Sequence, residues 1–188
     1  MRVSDGHPKY LTQEQVSAFF RAIPRDKVRD RLLFGFIYRY ALRTQEACRL
    51  PIEAVDMARM EVTVEGMKHG LRRTYPIFRE LRSLVRKYRP VGATYFAGRQ
   101  GGLDRSRVWQ LFRHYAGKAG LAPGLGVHSL RHSAAVHLLD AGGTIEEARD
   151  LLRHRHIATT EVYADLSTTR RGNYLRRLDN APEIVRIA

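Results

Sequence analysis

Residues 61–77 read EVTVEGMKHGLRRTYPI. The runs EVTVEG and RRTYPI are rich in Val, Thr and Tyr, which suit a pleated, half-buried surface, and MKHGL separates them. This spacing predicts an antiparallel hairpin with Gly70 in the turn. The hairpin interrupts a chain that otherwise repeats its apolar residues at helical intervals. The fold class is therefore mainly α with a small antiparallel β-sheet.

Upstream, TQEQVSAFFRAI opens with Thr12 as N-cap and Gln15 as its capping-box partner, and Pro24 ends that helix. RDKVRDRLLFGFIYRYAL places Val28, Leu32, Leu33, Phe36, Ile37 and Tyr40 on one broad helical face. Thr44 reads as the cap of a short helix, QEACRL, stopped by Pro51. Downstream, helical periodicity returns at about 78–88 and 104–119, and Gly124 and Gly126 interrupt it. SLRHSAAVHLLDA follows as a helix closed by Gly142 and Gly143. Thr144 and Glu147 form a second capping box, for IEEARDLL, and a further short helix carries Tyr163. The division expected is a flexible segment at 1–9, one domain at 10–178 and a tail at 179–188. Asn180 and Pro182 break that tail from the helix before it, and Ile184, Val185 and Ile187 need a place to bury.

Hydrophobic residues make up 44% of the 188, enough for a core. Lys and Arg number 33 against 19 acids, a formal net charge of +14. That excess calls for a polyanionic partner, nucleic acid before membrane. No apolar run is long enough to span a bilayer, MRVSDGHPKYL lacks the apolar core of a signal peptide, and the basic residues are spread along the chain. The single Cys48 excludes an internal disulfide and gives no zinc framework. The expectation is a cytoplasmic, nucleic-acid-binding protein with no membrane partner.

Cutting a nucleic-acid backbone without a metal requires cations on the non-bridging oxygens, a nucleophile, and an acid for the leaving oxygen. Arginine suits the first task because it is planar, permanently charged and bidentate. The chain offers such a set in scattered pieces: Arg43 in YALRTQEACRL, Lys68 in the hairpin turn, His128 and Arg131 in HSLR, His154 after ARDLL, and Tyr163 in TTEVY. His128 and Arg131 are three apart, so a helix points both one way. Each has a plainer alternative. Tyr163 could be a core aromatic, His128 and Arg131 a solvated pair, Arg43 a snorkelling residue, and Lys68 one more exposed hairpin lysine beside Arg72 and Arg73. A metal site at His128, His132, His137, His154 and His156 lacks a cysteine or paired carboxylate, so His132, His137 and His156 read as packing, phosphate-contact or surface residues. Arg29, Arg31, Arg105, Arg107, Arg113 and Lys118 read as phosphate contacts or basic surface.

In order, LRTQE, MKHG, HSLRH, LRH and TTEVY resemble the catalytic domain of the tyrosine recombinase (phage integrase) family. The family pattern is LR-x-x-E, a lysine in a hairpin turn, H-x-x-R, L-G-H and a nucleophilic tyrosine. The intervals from Arg131 to His154 and from His154 to Tyr163 are those the family uses. The resemblance covers roughly Tyr10 to Tyr174. Arg153 stands where the family usually has glycine. The separate helical DNA-clamping domain that most members carry before the catalytic one has no counterpart here, so the chain resembles short standalone members or an excised domain.

The resemblance implies the integrase catalytic-domain fold and site-specific cleavage and rejoining of double-stranded DNA, with no cofactor and no metal. Tyr163 would attack the scissile phosphate to give a 3′-phosphotyrosyl bond. Arg43 and Arg131 would grip the non-bridging oxygens, and His128 and His154 would hydrogen-bond the phosphate. His128 would take the tyrosine proton, Lys68 would protonate the leaving 5′-oxygen, and Glu46 would buttress the Arg43 turn. Self-assembly on paired sites and DNA-bending accessory proteins are the implied partners; the tail either docks in trans on a neighbour or folds back on its own domain. A type IB topoisomerase-like relaxing enzyme shares this chemistry. A non-catalytic DNA-binding regulator with the same fold is the alternative from another class.

Overall fold

The computed structural model of the chain describes residues 9–66, 72–98, 101–154 and 158–166. The hairpin is present and belongs to a three-stranded antiparallel sheet of β1 (Val55–Asp56), β2 (Glu61–Glu65) and β3 (Arg72–Pro76). The β2–β3 register runs from Glu61 opposite Pro76 to Glu65 opposite Arg72. Val62 and Val64 face the core and alternate with more exposed neighbours, as a sheet with one covered face requires. The turn, with Lys68 and Gly70, lies outside the described residues. A second two-stranded pair, β4 (Ala97–Gly98) and β5 (Gly101–Gly102), was not expected. It is too short and too glycine-rich to leave a periodic signal.

The helices are α1 (Gln13–Ala22), α2 (Val28–Arg39), α3 (Thr44–Cys48), α4 (Arg79–Lys87), α5 (Arg105–Lys118), α6 (Val127–Asp140), α7 (Ile145–Leu152) and α8 (Ala158–Leu166). Thr12 and Gln15 form the predicted capping box on α1, and Thr144 and Glu147 form that on α7. Two boundaries differ from expectation, and both position the site. Helix α2 stops at Arg39 because Tyr40 and Leu42 both turn into the core while Ala41 between them takes a left-handed backbone, φ 46°. The Tyr40 hydroxyl donates to the Pro76 carbonyl and accepts from the Phe78 N–H, which ties this corner to the end of β3. Thr44 is the first residue of α3 and not its cap. Instead the Glu46 carboxylate reaches back to the N–H of Arg43 at 2.8 Å.

Packing falls into two clusters. The larger joins α1, α2, α4, α5 and the sheet, with Phe19 stacked on Phe112 at 5.1 Å and Phe34 edge-on to both. Gly35 lets α4 approach α2: a Cβ there would lie 2.8 Å from a Leu81 methyl. The smaller cluster gathers Ala41, Ala134, Ala135, Val136, Leu139, Ala148, Leu152 and Tyr163. Helix α6 supplies residues to both, so it carries the junction between them. Among the described residues no helix is long and apolar enough to cross a membrane.

Candidate active site

Three guanidiniums converge on one carboxylate. Glu46 is 2% exposed; its Oε1 accepts from Arg43 Nη1 at 2.8 Å, and its Oε2 accepts from Arg153 Nη2 at 2.8 Å. Arg131 Nη1 stands 3.9 Å from the same oxygen. Burial alone would raise the Glu46 carboxyl. The Arg153 charge, the hydrogen bonds from Arg43 and the Arg131 charge outweigh it and hold the group below its ordinary value.

Each arginine arrives by a different local device. Arg43 follows the Ala41 corner, and its side chain is 35% exposed, so it faces outward as well as toward Glu46. Arg131 projects from α6, nearly sealed from solvent. It donates to the carbonyls of Ala41 and Leu152, and its Nη2 lies 3.3 Å from His154 Nε2. Burial, and then the Arg43 charge, lower the Arg131 guanidinium to about 9, so it stays a cation at neutral pH. Arg153 ends α7 in a left-handed conformation, φ 52° and ψ 42°. That backbone is what a glycine would supply here. Its side chain runs inward, fully buried, and donates to the carbonyls of Tyr40, Ala41 and Leu151 as well as to Glu46.

The histidines divide between two neighbourhoods. His128, Arg131 and His132 share one face of α6 by their spacing of three and four. His128 feels Arg131, Arg43 and Arg105; burial and then these charges lower its affinity for a proton. His154 follows Arg153, contacts Thr160 Oγ1 through Nδ1 at 3.1 Å, and is pushed down to about 4 by burial and then by Arg131 and Arg43. His132 reaches across to α8, where its Nδ1 lies 2.6 Å from the Tyr163 hydroxyl. Tyr163 is 3% exposed. Burial raises its phenol above the ordinary value, and Arg131 and Arg43 oppose that rise.

The structure thus brings Arg43, Glu46, His128, Arg131, His154 and Tyr163 together. Lys68 and His156 lie outside the described residues, as does the tail from residue 167. Two members of the cluster were not read from the sequence as site residues. Arg153 stood out only as a departure from the family's glycine. His132 reads from the sequence as a packing, phosphate-contact or surface residue, although its offset from His128 puts it on the right face. The tyrosine proton was expected on His128, yet the ring at the hydroxyl is His132. Beside the cluster opens a cleft of about 650 Å³, lined by Lys9, Arg105, Trp109, His128 and His132. Two of the arginines expected at phosphates or on the surface are used internally. Arg31 closes α1 by donating to the carbonyls of Phe20 and Ile23. Arg29 pairs with the buried Asp30, which also accepts from the Tyr115 hydroxyl. Arg105, Arg107, Arg113 and Lys118 are exposed on α5. His137 packs inside, with Nδ1 at 2.8 Å from the Tyr38 hydroxyl. Among the described residues no three metal-ligating side chains gather.

Residues 9–170 match the model of the phage integrase family. The chain belongs to that family. It is 35% identical over 164 residues to tyrosine recombinase XerA of Pyrococcus furiosus, covering 83% of this chain and 57% of that protein. It is 32% identical over 186 residues to XerA of Thermococcus kodakarensis, covering 95% and 64%. The chain therefore spans less than two thirds of the length of these relatives. Its fold is that of solved phage integrase family members: a crystal structure of XerA recombinase superposes with a TM-score of 0.78 at 22% identity, covering 96% of this chain and 68% of that one. The catalytic domain of bacteriophage HP1 integrase superposes at 0.67 and 21% identity, covering 93% and 99%.

Proposed function

We propose that the chain is the catalytic domain of a site-specific DNA recombinase that cuts and rejoins double-stranded DNA through a 3′-phosphotyrosyl bond at Tyr163. The observation that carries this reading is the charge balance around Glu46, where three guanidiniums meet one carboxylate. The cluster is left with two uncompensated positive charges beside a buried phenol. A phosphodiester brings one negative charge. Attack at phosphorus adds a second, so the excess matches the transition state better than the ground state.

Arg43 and Arg131 hold the non-bridging oxygens, with His128 and His154 as further hydrogen-bond partners of the phosphate. Glu46 keeps Arg43 in register. Lys68 protonates the leaving 5′-oxygen. The phosphotyrosine conserves the bond energy, and the free 5′-hydroxyl of either strand can reverse the reaction, so neither a metal nor ATP is required. The segment 1–9 leads into a catalytic domain at 10–178. The tail at 179–188 docks in trans on a neighbour when several chains assemble on paired sites, where DNA-bending proteins can assist. The setting is the cytoplasm, at the nucleoid.

The test is incubation with a nicked suicide duplex followed by denaturing electrophoresis. Wild-type protein is expected to give a covalent protein–DNA adduct. Tyr163→Phe should give none while binding DNA within a factor of about three, since one hydroxyl contributes little to phosphate-dominated affinity. Retarded native complexes without an adduct in the wild type would make the chain a binding regulator. An adduct that survives Tyr163→Phe would move the nucleophile to another tyrosine such as Tyr174.

A further inference from the structure

We propose that His132 is a catalytic residue: its Nδ1 receives the Tyr163 proton as the phenol attacks, and returns it on rejoining. The inference rests on the phosphotyrosyl reading above and gives His132 the proton-accepting role that the family resemblance implies for His128. Its basis is geometric. His132 lies one turn after His128 and next to Arg131, so the helix that aims Arg131 at Glu46 also aims His132 at α8. There Nδ1 and the hydroxyl are 2.6 Å apart, with the rings tilted by 34° at 5.6 Å between centroids. Tyr163 is 3% exposed as a residue and belongs to the small cluster with Ala134, Ala135 and Leu152. Among the described residues, His132 is the hydrogen-bond partner of that hydroxyl. His128 feels the charges of Arg131, Arg43 and Arg105, which suits it to the phosphate.

The groups around His132 are His128 and Arg131 on its own helix, His154 after α7 and Tyr163 on α8. Burial, then Arg131 and His128, push the ring down to about 4, so it is neutral and has a lone pair to offer at physiological pH. A ring so weakly basic does not ionise a resting phenol. The transfer is therefore coupled to bond formation. As the Tyr163 oxygen bonds to phosphorus its proton becomes strongly acidic and passes to Nδ1. The P–O5′ bond breaks with its electron pair on oxygen, which takes a proton from Lys68. A phosphate bound against Arg131 offsets the charge that weakens His132 as a base, so the acceptor strengthens when substrate is present. On rejoining, the imidazolium returns its proton to the departing tyrosine.

The experiment is single-turnover adduct formation on the suicide duplex with His132→Ala and His132→Asn. Asparagine keeps an acceptor near the place of Nδ1 but takes no proton. Both variants should bind DNA as wild type does, melt cooperatively, and form adduct about 100-fold more slowly or worse, the usual range for loss of a general base. Replacing Tyr163 by a ring-fluorinated tyrosine, whose proton is more acidic, should recover roughly tenfold or more in the His132 variants and far less in the wild type. Full activity in His132→Asn would reduce the residue to a positioning group, and faster cleavage in either variant would make the contact a latch. Either result, or no recovery with fluorotyrosine, overturns the proposal while the wild-type adduct still stands. Absence of the wild-type adduct would remove the phosphotyrosyl reading itself.

Discussion

Arg153 donates to Glu46 over 2.8 Å with both side chains out of reach of solvent, and it does so from a left-handed backbone. A non-glycine residue in that conformation costs about 1 kcal/mol or more. The return is a guanidinium that fills the space behind the Ala41 corner and binds three carbonyls and a carboxylate. The substitution of arginine for the family's glycine therefore keeps the turn and adds a buried counter-charge to Glu46.

Arg153→Gly should relieve the backbone and still destabilise the protein. Breaking a buried ion pair from one side costs roughly 3–5 kcal/mol, and relief of strain returns about 1. The net loss expected in urea unfolding is about 2–4 kcal/mol with an unchanged denaturant slope. A variant as stable as wild type would show that Glu46 is adequately served by Arg43 and Arg131.

Mild acid should unfold the protein early. His132 and His154 fall from 6.5 to about 4 in the folded state, and Glu46 is also lowered. All three hold protons more tightly when unfolded, so their contribution is complete above pH 6.5 and is lost as pH drops toward 4 for the rings, and further down for the carboxylate. Allowing for solvent screening of half-buried rings, each histidine should cost roughly 1–2 kcal/mol between pH 7 and pH 5. Thermal melting followed across that window reads it; a flat profile would contradict the assignment of neutral rings, and His132→Asn should flatten it in part.

Lys68→Ala should be rescued by a duplex with sulfur at the 5′-bridging position, because a thiolate leaves without a proton. Arg43→Ala should not be, since its proposed role is on the non-bridging oxygens. Adduct yields on the two substrates decide it, and equal behaviour of the two variants would make Lys68 a plain phosphate contact.

Adduct formation should persist in excess EDTA, because in the proposed mechanism guanidiniums and proton donors take the tasks that two-metal nucleases give to Mg²⁺. Loss of cleavage in EDTA with recovery on adding a divalent ion would sink the mechanism.

Local signals in the sequence placed most of the fold. The capping boxes at Thr12 and Thr144 and the alternation around Val62 and Val64 each depend on residues a few positions apart, and each is present. The failures are long-range. Helix α2 reads as helical through Tyr40, but contacts with Pro76 and Phe78 end it one residue early. Arg153 and Glu46 are 107 residues apart and His132 and Tyr163 are 31 apart, so no window of sequence couples them. Only the packed fold does that: α7 brings Arg153 to Glu46, and α6 brings His132 to Tyr163. The order of motifs revealed the family; it did not reveal which of two histidines meets the tyrosine.

The small core that holds Tyr163 has a bearing on how chains cooperate. Its walls are Ala41, two alanines of α6 and Leu152, all from the same polypeptide that carries Arg43 and Arg131. On the proposed roles, nucleophile and anion-binding groups are thus built in one subunit. Two defective proteins, Tyr163→Phe and Arg43→Ala, are therefore expected not to complement each other when mixed, however well they co-assemble on DNA. Each chain would cut in cis, and partnership between chains would govern which ends are rejoined.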